Sequence, residues 1–243
     1  MANPYFRFKQ FTVYHDQCAM KVTTDGCLFG AWCAAALQRV QKEDKTVLSS
    51  TLDIGTGTGL LSLMVAQKVA TSIQAVEIDA GAATQAASNV AASPFKDSIS
   101  IIQQDIVELK DRQYDIILSN PPFYEQELRS GSLAKDTAHH SHQLTWKELF
   151  AAIKRLLKRD GLFYLLLPYK RVAELNSYVR NEGLFINMMV TVAQSTTHTP
   201  FRLLVQGSRV ETNLVEEHLA IRDTHQQYTP EFTALLKDYY LYL

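Results

Sequence analysis

The chain has 243 residues and a formal net charge of −1, and it is 47% hydrophobic and 20% charged. A core of this size needs neither disulfides nor a structural metal, and the chain shows neither a signal peptide nor the roughly 20 consecutive apolar residues of a membrane span. Its three cysteines, Cys18, Cys27 and Cys33, lack zinc-ligand spacing, so we expect free thiols in a cytoplasmic protein that binds no membrane and no metal.

Short β-rich segments alternate with longer helical patterns from about residue 46, which predicts a parallel sheet with helices on both faces. Strands are predicted at residues 47–54, 73–78, 99–103, 114–119 and 162–167, and helices at residues 60–70, 80–92 and 145–159. Residues 1–45 are predicted to form a strand-loop-helix cap over this sheet.

The C-terminal part has a different pattern. Strand-like residues 185–192 and 201–206 flank a polar segment, which predicts an antiparallel hairpin at one edge of the sheet. Residues 219–222 suggest a further short strand, and Thr229-Pro230 begins a last helix. We therefore expect one α/β domain over residues 1–243, with a seven-stranded, mainly parallel sheet and a catalytic core from residue 46.

A glycine-rich turn follows the first strand of the sheet. After Asp53, every second residue of this turn is glycine: Gly55, Gly57 and Gly59. Such glycines take positive φ and let the backbone approach a ligand. Glu77 ends the next strand about 20 residues later, where a carboxylate can bind both hydroxyls of a ribose. These features fit a nicotinamide cofactor as well as S-adenosylmethionine.

Two further signals favour S-adenosylmethionine. Asp105 follows the third strand, where it can accept a hydrogen bond from the adenine amino group of the cofactor. The fourth strand ends in the segment Asn120-Pro121-Pro122-Phe123. The side-chain carbonyl of Asn120 and the backbone carbonyl of Pro121 can accept both N–H groups of an exocyclic amine, held in place by the fixed φ of the prolines. Phe123 offers a face on which an extruded base can stack.

This segment resembles the Asn/Asp/Ser-Pro-Pro-aromatic motif of class I amino-group methyltransferases, which have a Rossmann-like fold. Residues 8–11, 18–26 and 30–32 resemble the N-terminal signature of the bacterial tRNA(Val) (adenine-N6) methyltransferases. Segments 52–66, 75–79, 119–124 and 220–241 resemble the same family, so the resemblance covers almost the whole chain. Thr23 and Phe123 stand where this family usually has glycine and tyrosine.

The resemblance implies an enzyme that methylates N6 of the adenosine 3′ of the anticodon in valine tRNA, and we expect it to be a monomer. It implies that Lys21, Thr24 and Asp25 lie near the methionine end of S-adenosyl-L-methionine. The expected cofactor-binding residues are then Lys21, Thr24, Asp25, Asp53, Gly55, Gly57, Gly59, Glu77, Asp105 and Asn120. The expected catalytic residues are Asn120, Pro121, Pro122 and Phe123.

The near-neutral charge restricts any RNA contact to a local patch. A loop after the motif could grip phosphates beside a flipped base; its candidates are Arg129, Lys135, His139, His140 and His142. Weaker candidates are Lys170, Arg171, His198 and Arg202. The basic stripe of Lys154, Arg155, Lys158 and Arg159 is more typical of a solvated helix surface.

Other functions remain open from the residues alone. The same Asn-Pro-Pro-aromatic motif could methylate the exocyclic amine of guanine in ribosomal RNA, the side-chain amide of a glutamine in a release factor, or adenine in DNA. A non-catalytic RNA-binding protein could also keep this fold. Damage to the glycine loop, Glu77 or Asn120 would favour that last hypothesis, and none is damaged.

Overall fold

The computed structural model describes residues 3–43, 48–110, 112–121 and 144–243. The helices are α1 (Thr24–Glu43), α2 (Leu60–Ala66), α3 (Ala80–Ala91), α4 (Trp146–Leu156), α5 (Val172–Asn181) and α6 (Pro230–Leu236). The strands are β1 (Tyr5–Arg7), β2 (Thr12–Tyr14), β3 (Ser50–Ile54), β4 (Ser72–Glu77), β5 (Ile99–Gln103), β6 (Tyr114–Ser119), β7 (Leu157–Pro168), β8 (Phe185–Ser195), β9 (Pro200–Ser208) and β10 (Val215–Arg222). None of the helices in these ranges is long and apolar enough to cross a membrane.

Eight strands form the main sheet of the described residues, in the order β10-β8-β9-β7-β6-β3-β4-β5. The strands from β7 to β5 are parallel, and β9 is antiparallel to both β7 and β8. The mainly parallel α/β sheet is thus confirmed.

The prediction of seven strands with the hairpin at an edge needs correction. The eighth strand, β10, pairs parallel to β8 and lies outside the hairpin, so β10 forms the edge. The sequence pattern indicated only its last four residues because the first four, from Val215 to His218, are exposed and show no apolar alternation.

Both faces of the sheet are covered by helices. Alternate residues of a strand point to opposite faces, so Ile116 and Leu118 of β6 pack with α1, α2 and α6. Ile117 of the same strand packs with α4 and α5 on the other face. This double burial explains the apolar run from Ile116 to Leu118 in β6.

The boundary between α4 and β7 differs from the prediction, which continued the helix to Arg159. The helix ends at Leu156, and Leu157 already has extended dihedrals (φ −81°, ψ 132°). Lys158 Nζ then lies 2.8 Å from Asp115 Oδ1 on β6. Gly161 is required here because an added Cβ would lie 2.9 Å from the Asp115 carbonyl oxygen. Tertiary contacts with β6 therefore override a helical pattern.

The N-terminal segment begins with a two-stranded antiparallel hairpin in which Tyr5 pairs with Tyr14. A buried side chain of α3, Asn89, holds this hairpin. Its Oδ1 accepts from the Tyr14 amide at 3.0 Å, and its Nδ2 donates to the carbonyl oxygens of Tyr14 and Thr58 at 2.9 Å. The hairpin is thereby attached to α3 and to the glycine-rich turn.

Candidate active site

A cavity lies at the carboxyl ends of the parallel strands, where ligands bind in open α/β sheets. It brings together six predicted site residues from four strand ends: Gly55, Gly57, Glu77, Asp105, Asn120 and Pro121. Further lining residues come from neighbouring turns, from the segment before α1 and from the region of α4: Cys18, Ala19, Met20, Ile54, Val76, Ile78, Asp79, Ala82, Gln104, Ile106, Val107, Leu144 and Glu148.

The glycine-rich turn leaves its backbone open to this cavity. Gly55 and Gly57 have φ values of 68° and 55°, and a Cβ on either would have no neighbour within 4 Å. The amides of Gly55 and Thr56 donate to the Val76 carbonyl oxygen at 2.9 and 3.1 Å, which fixes the turn against β4. Gly59, at φ 81°, instead faces Ala86 of α3 and does not line the cavity.

Asp53 is fully buried beneath this turn and does not line the cavity. Its Oδ2 accepts from the hydroxyls of Thr56 at 2.7 Å and of Ser62 at 2.8 Å. Burial raises the pKa of the Asp53 carboxyl to about 6, although both hydroxyl donors oppose that shift. Asp53 therefore links the turn to α2.

The two acidic residues at the adjacent strand ends are held by backbone amides. Glu77 accepts from the Gly57 amide through Oε2 at 2.8 Å and from the Asp79 amide through Oε1 at 3.0 Å. Asp105 Oδ1 accepts from the Val107 amide at 2.9 Å. Each carboxylate oxygen can accept more than one hydrogen bond, so both residues keep acceptor capacity toward the cavity.

Asn120 follows β6 and is half-buried at the cavity wall. Its Oδ1 is inaccessible to solvent and has no hydrogen-bond partner among the residues that the structure describes. Leaving a buried acceptor unpaired costs free energy, so this oxygen is suited to a donor on a ligand. Pro121 is buried beside it.

Several predicted residues lie outside the ranges that the structure describes. They are Pro122, Phe123, Arg129, Lys135, His139, His140, Ser141 and His142. Within the described ranges, no group of three or more histidine, cysteine, aspartate or glutamate side chains could hold a metal ion.

The N-terminal signature approaches the site in a way that the sequence did not indicate. Lys21 and Thr24 are exposed and do not line the cavity. Asp25, in the first turn of α1, accepts from Arg202 Nε of β9 at 2.6 Å. The next residue, Gly26, lies so close to Asn120 that an added Cβ would be 3.9 Å from Asn120 Nδ2.

The sequence analysis did not assign several lining residues to the site. Ile78, Asp79, Gln104 and Ile106 follow strands whose ends were predicted, so their adjacency to Glu77 and Asp105 was a usable signal. Cys18, Ala19 and Met20 lie in the N-terminal signature of residues 18–26 but were not assigned to the cofactor site, and Leu144 carried no chemical signal. The sequence around Glu148 indicates only a helix start, since Thr145 and Glu148 form a capping box.

The Cys18 thiol lines the cavity near Glu77. Burial is the larger cause that raises the pKa of this thiol to about 11, and the negative charge of Glu77 is the second cause.

Comparison with known proteins identifies the family. Residues 34–174, more than half of the chain, match the methyltransferase small domain. A tRNA1(Val) (adenine(37)-N6)-methyltransferase of Bacteroides thetaiotaomicron is 38% identical over the full length of both chains. Proteins with the same name are 42% identical in Dyadobacter fermentans, over 98% of each chain, and 38% identical in Yersinia pestis, over 97% of this chain and 93% of the other.

Solved structures share the fold at low sequence identity. A predicted O-methyltransferase from Agrobacterium tumefaciens superposes with a TM-score of 0.62 at 17% identity, over 84% of this chain and 95% of the other. A ribosomal protein L11 methylase from Lactobacillus delbrueckii gives a TM-score of 0.50 at 17% identity, over 74% and 79%. The fold is that of class I methyltransferases, enzymes that use S-adenosyl-L-methionine. The chain belongs to the methyltransferase small-domain family and, by its full-length relatives, to the family of tRNA1(Val) (adenine(37)-N6)-methyltransferases.

Proposed function

We propose that the protein transfers a methyl group from S-adenosyl-L-methionine to the exocyclic N6 of an adenosine in tRNA. The observation that carries this proposal is the buried, unpaired Oδ1 of Asn120 beside Pro121 at the cavity wall, among the residues that the structure describes. The names of the full-length relatives support the finer assignment, the adenosine 3′ of the anticodon in valine tRNA.

The residues around the cavity fit the proposed cofactor. The open backbone at Gly55 and Gly57 admits a ligand at the end of β3. Glu77 and Asp105 both line the cavity; Glu77 would accept hydrogen bonds from two ribose hydroxyls, and Asp105 would accept one from an adenine amino group. S-adenosyl-L-methionine supplies an electrophilic methyl group when it is bound there.

The residues at the end of β6 would activate the acceptor. The amino nitrogen of adenine is a poor nucleophile because its lone pair is conjugated into the ring. Asn120 Oδ1 and the Pro121 carbonyl oxygen would accept its two N–H groups and draw the nitrogen toward a tetrahedral geometry. Preorganised acceptors of this kind stabilise a transition state without reorganisation. No strong base is needed, since the nitrogen loses its proton readily once it carries the methyl group.

Other residues have proposed roles farther from the reacting atoms. Asp53 and Gly59 would serve the cofactor by shaping the turn through Ser62 and Ala86. Lys21, Thr24 and Asp25 would lie toward its methionine end, and Phe123 after Pro122 would stack on the base. We also propose a single domain, a monomeric enzyme and a cytoplasmic location. The core cluster that joins Phe8 and Tyr240 to the sheet supports the single domain.

The direct test is methyl transfer from labelled cofactor to total tRNA that lacks the modification, followed by nucleoside analysis. We expect labelled N6-methyladenosine that is confined to valine tRNA. Label in N6-methyladenosine of other RNA would keep the chemistry and reject the valine tRNA assignment. Labelled methylguanosine would reject adenine as the base. Absence of label, with intact cofactor binding, would favour a glutamine substrate or a non-catalytic protein.

A further inference from the structure

We propose that His15 is a positioning residue that holds residues 16–21 over the cofactor cavity. These six residues, called here the strap, follow β2 and form neither helix nor strand. Three of them, Cys18, Ala19 and Met20, line the cavity. The proposal rests on the proposed function, since it takes the ligand of that cavity to be S-adenosyl-L-methionine.

His15 joins the two ends of the strap. It directly precedes the strap, and its Nδ1 accepts a hydrogen bond from the amide of Val22, directly after the strap, at 3.4 Å. The other ring nitrogen, Nε2, lies 2.9 Å from the Asn3 carbonyl oxygen, to which it can only donate. These two partners assign the ring proton to Nε2 of a neutral imidazole. The side chain thus ties the end of the strap back to its start.

The His15 ring is itself fixed in the fold. The residue is only 6% exposed, and its backbone amide donates to the Pro4 carbonyl oxygen at 2.9 Å. The preceding residue, Tyr14, is bonded through its amide and its carbonyl oxygen to Asn89 of α3. A buried ring with a partner for each nitrogen has a defined orientation. His15 is therefore a fixed point from which the second end of the strap is held.

The strap has few other polar contacts. In the part of the chain that the structure describes, it makes a single hydrogen bond to another segment, from the Gln17 amide to Gln85 Oε1 of α3 at 3.2 Å. The Gln17 carbonyl oxygen also packs over the first turn of α3, since an added Cβ on Gly81 would lie 3.5 Å from it. These contacts hold the first half of the strap. The position of its second half depends on the contact between Val22 and His15.

The contact between Val22 and His15 favours cofactor binding through entropy. A segment that is fixed at both ends has fewer conformations than one that is fixed at one end. Less order then has to be gained when the strap contacts the cofactor. The acceptors at Asn120 and Pro121 belong to the end of β6 and not to the strap. Loss of the Val22 contact should therefore weaken cofactor binding and leave the rate at saturating cofactor unchanged.

Cys18 reports the position of the strap directly. It is partly exposed, whereas the other two cysteines of the chain, Cys27 and Cys33, are buried. Burial, followed by the negative charges of Glu77 and Asp79, raises the pKa of the Cys18 thiol to about 11. A strap that leaves the cavity would expose this thiol and lower its pKa, so both effects speed its alkylation by iodoacetamide. The alkylation rate at constant pH thus measures strap opening without an activity assay.

The test compares His15→Leu, which has no hydrogen-bonding group, with His15→Asn, which keeps an acceptor oxygen near the Nδ1 position. For His15→Leu we expect alkylation without cofactor to be about 10-fold faster. The Kd and the KM for S-adenosyl-L-methionine should be about 5- to 10-fold higher, with kcat at saturating cofactor unchanged. His15→Asn should return these quantities to within about twofold of the wild type. His225→Ala, at an exposed histidine, should match the wild type.

Gln85→Leu provides a second test that does not depend on the folding of His15→Leu. It removes the acceptor of the Gln17 amide, so the alkylation rate and the Kd for S-adenosyl-L-methionine should rise while His15 stays intact. Equal alkylation rates and Kd values in the wild type and all variants would overturn the proposal. Equal impairment of His15→Leu and His15→Asn would also overturn it, because His15 would then act by packing alone. If the wild type forms no N6-methyladenosine, the proposed function fails, and the alkylation rates without cofactor still test the role of His15.

Discussion

The backbone amide of Gly57 donates a 2.8 Å hydrogen bond to Oε2 of Glu77 and so joins the glycine-rich turn after β3 to the end of β4. The second carboxylate oxygen of Glu77 accepts from the Asp79 amide just before α3. One carboxylate therefore sets the relative position of two strand ends while facing the cavity. Both backbone donors require an acceptor, which a carboxylate supplies on each side.

Glu77→Gln tests this arrangement. The amide group of glutamine has only one acceptor atom, so its NH2 group would face either the Gly57 or the Asp79 amide. We expect the affinity for S-adenosyl-L-methionine to fall by about 10- to 100-fold, the range for a lost hydrogen bond to a charged group. Calorimetric titration measures it, with Glu217→Gln on the exposed part of β10 as the matched control. Equal affinities in both variants and the wild type would contradict this role of Glu77.

Asp53 predicts a pH dependence of stability. The pKa of its carboxyl is about 6 in the folded protein, against an ordinary value of 3.8, because burial disfavours the charged form. A raised folded pKa means that its contribution to the free energy of unfolding is full below about pH 4 and is lost as pH rises through about 6. The loss amounts to about 3 kcal/mol, from 1.36 kcal/mol per pKa unit.

Asp53→Asn removes that titration and keeps a carbonyl acceptor for the Thr56 and Ser62 hydroxyls. We expect the stability of the variant relative to wild type to rise by about 3 kcal/mol between pH 4 and pH 8. Urea unfolding of both proteins without cofactor at the two pH values provides the comparison. A relative stability that does not change with pH would show that Asp53 does not titrate as its burial predicts.

The ion pair between Arg202 and Asp25 connects β9 to the first turn of α1, next to Gly26 and Asn120. Both side chains are only partly exposed, at 27% and 14%. We expect Arg202→Gln and Asp25→Asn each to lower stability and the double variant to lose less than their sum. A coupling energy of about 1 kcal/mol is typical of residues in contact. Additive effects in a double-mutant cycle would mean that the pair contributes no net coupling.

Much of the architecture was predictable because its signals are local. The strand β6 and the second half of β7 are buried on both faces, and buried strands read as apolar runs. The exposed half of β10 carries no such pattern, and the end of α4 depends on contacts of Lys158 and Gly161 with Asp115 on β6. These two features are set by tertiary packing, which periodicity does not reveal.

The site also has a part that local sequence signals predict and a part that tertiary packing determines. Glu77, Asp105 and Asn120 end successive parallel strands, so sheet geometry alone brings them to one cavity. The segment from Cys18 to Met20 lines the cavity, and Asn89 of α3 holds the hairpin that precedes this segment. The contact between Asn89 and Tyr14 joins residues 75 positions apart, so a local sequence pattern does not predict it.

The central claim is that the side-chain carbonyl of Asn120 orients the adenine amine. The most direct measurement is the single-turnover rate of methyl transfer to unmodified valine tRNA by Asn120→Ala, together with its affinity for S-adenosyl-L-methionine. We predict a rate that falls by about 100-fold or more, as for other preorganised hydrogen-bonding groups, with cofactor affinity nearly intact. A near-normal rate in a variant that still binds the cofactor would contradict the role assigned to Asn120.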